Sequence, residues 1–178
     1  MRSRQPKLLA AEGLMGYAVR VLGGRALSAG ELRQKLLRKA ENAADIDGVL
    51  ARLKELGYLN DKRFADAYAA GRLENQGFGK MRVLRDLRQR RVPPAVAEHA
   101  VQQVFEETDE IALIEKFLER KFRGRDLART LADEKKLASA YRRLRLAGFG
   151  AGNSIRVLKR YAARADELED SEEGSPGS

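Results

Sequence analysis

Residues 53–68 read LKELGYLNDKRFADAY. Leu53 and Leu56 end one helical pattern, Gly57 stops it, and Tyr58 and Leu59 follow. Asn60 or Asp61 is placed to cap a second pattern, in which Phe64 and Tyr68 recur at i and i+4. A glycine just past a helix end takes the left-handed conformation without steric cost. The apolar residue after it folds back on the last turn. This predicts Tyr58 and Phe64 as buried, stabilising residues. The stretch has an echo: Arg143-Leu144, Ala147-Gly148-Phe149, Asn153 as a cap, then Ile155. At a shift of 91, Gly57 falls on Gly148, Tyr58 on Phe149 and Phe64 on Ile155. Phe149 is therefore also expected in the core, and the motif is expected to close one three-helix unit and launch the next helix.

Helical periodicity continues on both sides. Leu14, Tyr17, Val21 and Leu22 form a stripe that Gly23-Gly24 ends, and Ser28 with Glu31 makes a capping box before Leu32 and Leu36. Asp45 starts a third helix carrying Val49, Leu50 and Leu53. A shift of 51 carries Tyr17 onto Tyr68, Leu32 onto Val83 and Leu36 onto Leu87. Pro94 sits where a first helical turn tolerates proline. Further on, Asp126 can cap Leu127 to Leu131, and Leu137 to Leu146 reads as the last core helix of a third unit. The expected fold is all-α, an elongated array of three tandem three-helix repeats. The expected segments are a flexible basic N-terminus (1–9), repeats at 10–59, 60–108 and 109–165, and a disordered acidic tail (166–178).

Bulk composition agrees. In 178 residues the strong helix formers Leu, Ala, Arg, Lys and Glu dominate. The lack of cysteine removes disulfides and thiolate metal sites and suits a cytoplasmic location. No secretory h-region and no run of about 18 apolar residues is visible, so no membrane contact is expected. Net charge is +9, and the six acids from Asp166 to Glu173 hide a stronger excess: without them the remainder stands at +15. Such a basic body points to a polyanionic partner.

Catalytic chemistry finds little support. His99 stands alone mid-helix, cysteine nucleophiles are absent, and the carboxylates interleave with Lys and Arg as solvated helix faces do. No catalytic residue, cofactor or metal site is expected. Gly77-Phe78-Gly79-Lys80 lacks the phosphate-loop pattern and reads as an inter-helix turn. The functional candidates are basic. Arg33, Lys35, Arg38 and Lys39 crowd the second helix of repeat 1. Arg72 precedes, and Lys80, Arg82, Arg85, Arg88, Arg90 and Arg91 crowd, the matching helix of repeat 2. Arg142, Arg143, Arg145, Arg156, Lys159 and Arg160 form a third group. These suit phosphate contacts, which give affinity without sequence reading. Base stacking is not expected, because the aromatics fall at core positions.

These residues carry a family resemblance. Ser28-x-x-Glu31-Leu32-x-x-Lys35-Leu36, Leu53-x-x-Leu56-Gly57-Tyr58-Leu59-x-Asp61-x-x-Phe64-Ala65-x-x-Tyr68, Arg72 and Gly77-x-Gly79-x-x-Arg82 resemble the RecX family of RecA regulators. The close, Arg143-Leu144 and Gly148-Phe149 before Ile155-x-Val157-Leu158, is similar too. One departure is Arg90-Arg91-Val92, where the family has a Lys-Gly-Ile type ending; the geometry of that helix end is the open point. The resemblance implies a non-enzymatic protein that lies in the groove of the RecA–DNA filament and inhibits RecA's ATPase, recombinase and coprotease activities. The implied partners are RecA and single-stranded DNA, with double-stranded DNA left open, and the chain is expected to be monomeric. The alternative is a stand-alone helical DNA-binding regulator.

Overall fold

The computed structural model describes residues 8–162 and Ala165. Residues 1–7 and the acidic stretch 166–178 lie outside the described residues, so the expectations for the N-terminal arm and the tail are not addressed by it. Leu8 and Leu9 are described. Leu9 joins the fold through a bridge to Ala40, its N–H donating to the Lys39 carbonyl at 2.7 Å.

The described chain is all-α, with ten helices: α1 (Ala11–Gly24), α2 (Ala29–Leu37), α3 (Asp45–Glu55), α4 (Asp61–Gly71), α5 (Lys80–Gln89), α6 (Pro94–Phe105), α7 (Glu110–Lys121), α8 (Leu127–Leu131), α9 (Glu134–Leu146) and α10 (Ala151–Leu158). A π-helical stretch, Arg72–Gln76, continues α4 and ends where Gly77 turns left-handed at φ 58°. The chain forms two compact units. Among the described residues, the first holds 8–68 and 86–100 and the second 69–85, 101–162 and 165, so α4, α5 and α6 are each divided between them.

In the first unit, α3 packs against α1 and α2. Its core gathers Leu14, Ala18, Leu32, Leu36, Ile46, Leu53 and Leu59, all essentially inaccessible. The capping box forms as expected: the Ser28 hydroxyl accepts from the Glu31 N–H at 3.0 Å, and the Glu31 carboxylate accepts from the Ser28 N–H at 3.3 Å. Asp61, on α4, accepts from the Ala29 N–H at 2.7 Å and so satisfies a further orphan donor of the same helix start. The cap of α4 itself is Asn60, whose side chain accepts from the Arg63 N–H at 2.9 Å.

In the second unit, α10 packs against both α7 and α9, as α3 does against α1 and α2, and short α8 lies on α9. Helices α7, α9 and α10 are therefore the third repeat's three principal helices. This corrects two expectations. Leu137 to Leu146 is not the last core helix, and the Gly148 turn lies inside a repeat. Asn153 is not a cap either. The start of α10 is satisfied by Glu110 of α7, which accepts from the Gly150 N–H at 2.8 Å and from the Asn153 side chain at 2.5 Å.

Three helix ends share one hydrogen-bond pattern. After α3, the Gly57 N–H bonds the Lys54 carbonyl and the Tyr58 N–H bonds the Leu53 carbonyl, both at 3.0 Å. After α9, Gly148 bonds Arg145 and Phe149 bonds Leu144 in the same way. After α5, Arg91 bonds Arg88 and Val92 bonds Leu87, with Arg91 at φ 58°. All are paired six-to-one and five-to-two closures with a left-handed residue between them. Arg91 thus adopts the conformation glycine would supply, which settles the open helix end. A side chain there costs about 1 kcal/mol. Arg91→Gly is expected to raise stability by about 0.5–1 kcal/mol in urea denaturation. A lowered midpoint would mean the turn is not strained.

The turns also receive neighbouring helix starts. A Cβ on Gly30 would lie 2.4 Å from the Arg91 carbonyl oxygen, and one on Gly79 would lie 2.5 Å from the Gly148 carbonyl oxygen. Only glycine permits either approach.

Candidate nucleic-acid interface

Each basic residue acquires a setting that its position in the sequence does not show. On α2, Arg33 pairs with Asp47 of α3, and that hydrogen bond and charge hold the Asp47 carboxyl below the usual carboxylate range. Lys35 and Lys39 are half-buried and Arg38 is exposed, together forming a basic group at the end of α2. The Arg33 charge is matched locally, so it adds little to that group.

On α5, Lys80 donates to Gln102 at 2.6 Å. Arg82 and Arg85 both donate to the Leu146 carbonyl at the end of α9, at 3.4 and 3.2 Å. Arg82 also lies over the Phe78 ring at 5.2 Å, and Arg72 lies near the same ring at 5.9 Å while donating to Gln76 at 3.3 Å. Arg72 and Arg82 therefore brace the Phe78 turn, and Arg82 and Arg85 share one carbonyl at a helix C-terminus. Arg88 pairs with Glu98 of α6 at 3.0 Å with both side chains more than half exposed. In the third repeat, Arg142, Arg143, Arg156 and Lys159 are exposed on α9 and at the end of α10. Arg145 turns inward and donates to the Phe149 carbonyl at 2.7 Å. Arg160 pairs with Glu115. His99 is exposed on α6, the setting expected of a surface residue. Among the described residues no cluster of three His, Cys, Asp or Glu could hold a metal, and no helix is long and apolar enough to cross a membrane.

The structural motif divides. Gly57 and Gly148 take φ 75° and φ 91°, and Phe149 is fully buried against Phe117, edge to face at 5.4 Å. Asp61 does a tertiary job, as described. Tyr58 contradicts its expected burial: it is 55% exposed, and Leu59, 3% exposed, enters the core instead. Phe64 is only half-buried. The cause is that both turns have the same local hydrogen bonds but different neighbours.

These aromatics line a cleft of about 600 Å³ in the first unit. Phe64 and Tyr68 stack at 6.0 Å with their planes 20° apart, and the Arg90 guanidinium covers Tyr68 at 4.8 Å. Arg25 and Arg63 stand at the same cleft. Arg90 is fixed by Glu31 at 3.2 Å, and Arg25 reaches the same carboxylate at 3.6 Å. Burial opposes the charge on Arg90, but the Tyr68 hydrogen bond and the Glu31 carboxylate outweigh it and raise its pKa. This group went unread in the sequence because i, i+4 aromatic spacing is the usual mark of a core face.

The fold and these surfaces define an all-α protein of tandem three-helix repeats. A family model described as the first three-helix domain of RecX matches residues 15–53, and one described as its second three-helix domain matches 60–101. The regulatory protein RecX of Halorhodospira halophila is 33% identical over 168 residues, covering 94% of this chain and 96% of that protein. The chain belongs to the RecX family. The regulatory protein RecX of Deinococcus radiodurans is 40% identical over 105 residues, but the match spans only about half (48%) of that protein. The crystal structure of RecX from Lactobacillus salivarius is similar in fold, with a TM-score of 0.62 at 18% identity, over 89% of this chain and 96% of that one.

Proposed function

We propose that this chain binds the RecA–DNA filament and restrains RecA's ATPase, recombinase and coprotease activities, acting as a cytoplasmic monomer. The observation that supports this most is family membership over nearly the whole chain, alongside relatives named as regulatory proteins. The basic surface supports the DNA side. Lys35, Arg38, Lys39, Arg85, Arg88, Arg142, Arg143, Arg156 and Lys159 are the proposed phosphate contacts, with Lys80 beside them. Arg33, Arg72 and Arg82 act by positioning, because each is half-buried and has a structural partner within its own unit, whereas Lys80, Arg85 and Arg88 have partners too but are exposed. No base-edge reading is required of any of them, so binding is expected to be insensitive to DNA sequence.

The test is the affinity of the full chain for a preassembled RecA–single-stranded DNA filament, compared with the same DNA alone at one salt concentration. Tighter binding to the filament is expected. Equal or weaker binding would move the reading to a stand-alone DNA-binding regulator.

A further inference from the structure

We propose that the cleft between α1 and α4 holds one unstacked base of a single-stranded nucleic acid, with its flanking phosphate on Arg63 and Arg25. This rests on, and sharpens, the reading that the chain contacts DNA. Several features point to the same ligand. Tyr58 keeps 55% of its surface exposed immediately after a helix stop, although the neighbouring Leu59 is buried. A large aromatic held at the surface by a fixed backbone turn is a ready stacking platform, and base-on-aromatic stacking tolerates any base. Phe64 and Tyr68 line the same cleft.

Charge chooses among occupants. Three guanidinium groups, Arg25, Arg63 and Arg90, line the cleft, and the one carboxylate paired with them, Glu31, meets only Arg25 and Arg90, so the cleft carries a net positive charge. Arg90 is spent on Tyr68 and Glu31. Arg63 makes one bond to the Gly57 carbonyl at 3.1 Å and keeps further donors of its fork for an anion. A volume of about 600 Å³ accommodates a nucleotide-sized group. Aromatic faces with cations at their edge match a base joined to a phosphate better than they match an apolar peptide.

The test uses the full chain without RecA. Binding of a fluorescein-labelled oligothymidylate is compared with binding of an abasic oligomer of equal length and charge. The unaltered protein is expected to prefer the oligomer with bases by about tenfold. Tyr58→Ala should abolish that preference while leaving abasic binding unchanged, and Tyr58→Phe should retain it. Because Tyr58 is exposed, both variants should melt with the unaltered protein. Equal binding of the two oligomers by the unaltered chain, or an undiminished preference in Tyr58→Ala, overturns the proposal. If Tyr58→Ala weakens only filament binding, the cleft takes a protein surface; the base site is then refuted and the filament reading stands.

Discussion

Phe149→Ala is expected to destabilise the second unit by about 3–5 kcal/mol, the largest effect of any single substitution considered. The ring is wholly inaccessible and meets Phe117 edge to face at 5.4 Å. It also follows Gly148, whose left-handed φ of 91° closes α9 and whose missing side chain admits the start of α5. A Cβ there would lie 2.2 Å from the Arg82 backbone nitrogen. The Gly79 N–H bonds the Ala147 carbonyl at 2.8 Å, and the Met81 N–H bonds the Gly148 carbonyl at 3.1 Å. Removing the ring leaves a cavity under a turn on which another helix start rests. Urea denaturation followed by far-ultraviolet circular dichroism would show the loss. Tyr58→Ala is the control: it occupies the matching position of the α3 turn but is exposed, so it should cost under about 1 kcal/mol. Equal losses for the two would contradict the packing described here.

The second large effect concerns binding. Reversing charge at Lys35, Arg38 and Lys39 together is expected to weaken filament affinity about 10- to 100-fold at low salt. The dependence of log affinity on log salt should flatten by about 2, as three lost contacts to single-stranded phosphates imply. Arg33→Glu should do much less, since its guanidinium already serves Asp47. The triple variant should stay folded, because none of the three side chains belongs to the core around Leu32 and Leu36. Unchanged affinity and salt slope in a folded triple variant would remove α2 from the interface.

Local chemistry was readable in the sequence, and tertiary consequences were not. Ser28 and Glu31 spell a capping box because both partners lie within one turn, and the bonds form as read. Asp61 looked like a candidate cap for its own helix, yet it serves α2, thirty-two positions earlier. Gly57 and Gly148 announced left-handed helix ends, but Arg91 makes the same closure without a glycine to signal it. The shift of 91 that matched Gly57 to Gly148 joined two turns of equal geometry at different places in their repeats. Gly148 corresponds to Arg91, between the second and third principal helices. Among the candidate contacts, residue type was visible while employment was not. Arg82 serves Phe78 and Leu146, and Arg33 serves Asp47. The aromatic cleft was hidden because Phe64 and Tyr68 keep core spacing while lying at a surface.

The most direct test of filament regulation is RecA's ATPase on single-stranded DNA, titrated with this protein beside its affinity for that DNA without RecA. Inhibition at concentrations well below the bare-DNA dissociation constant is the expected result, and it would make the filament the target. Inhibition only where bare DNA is already saturated, or none at excess, would contradict the account.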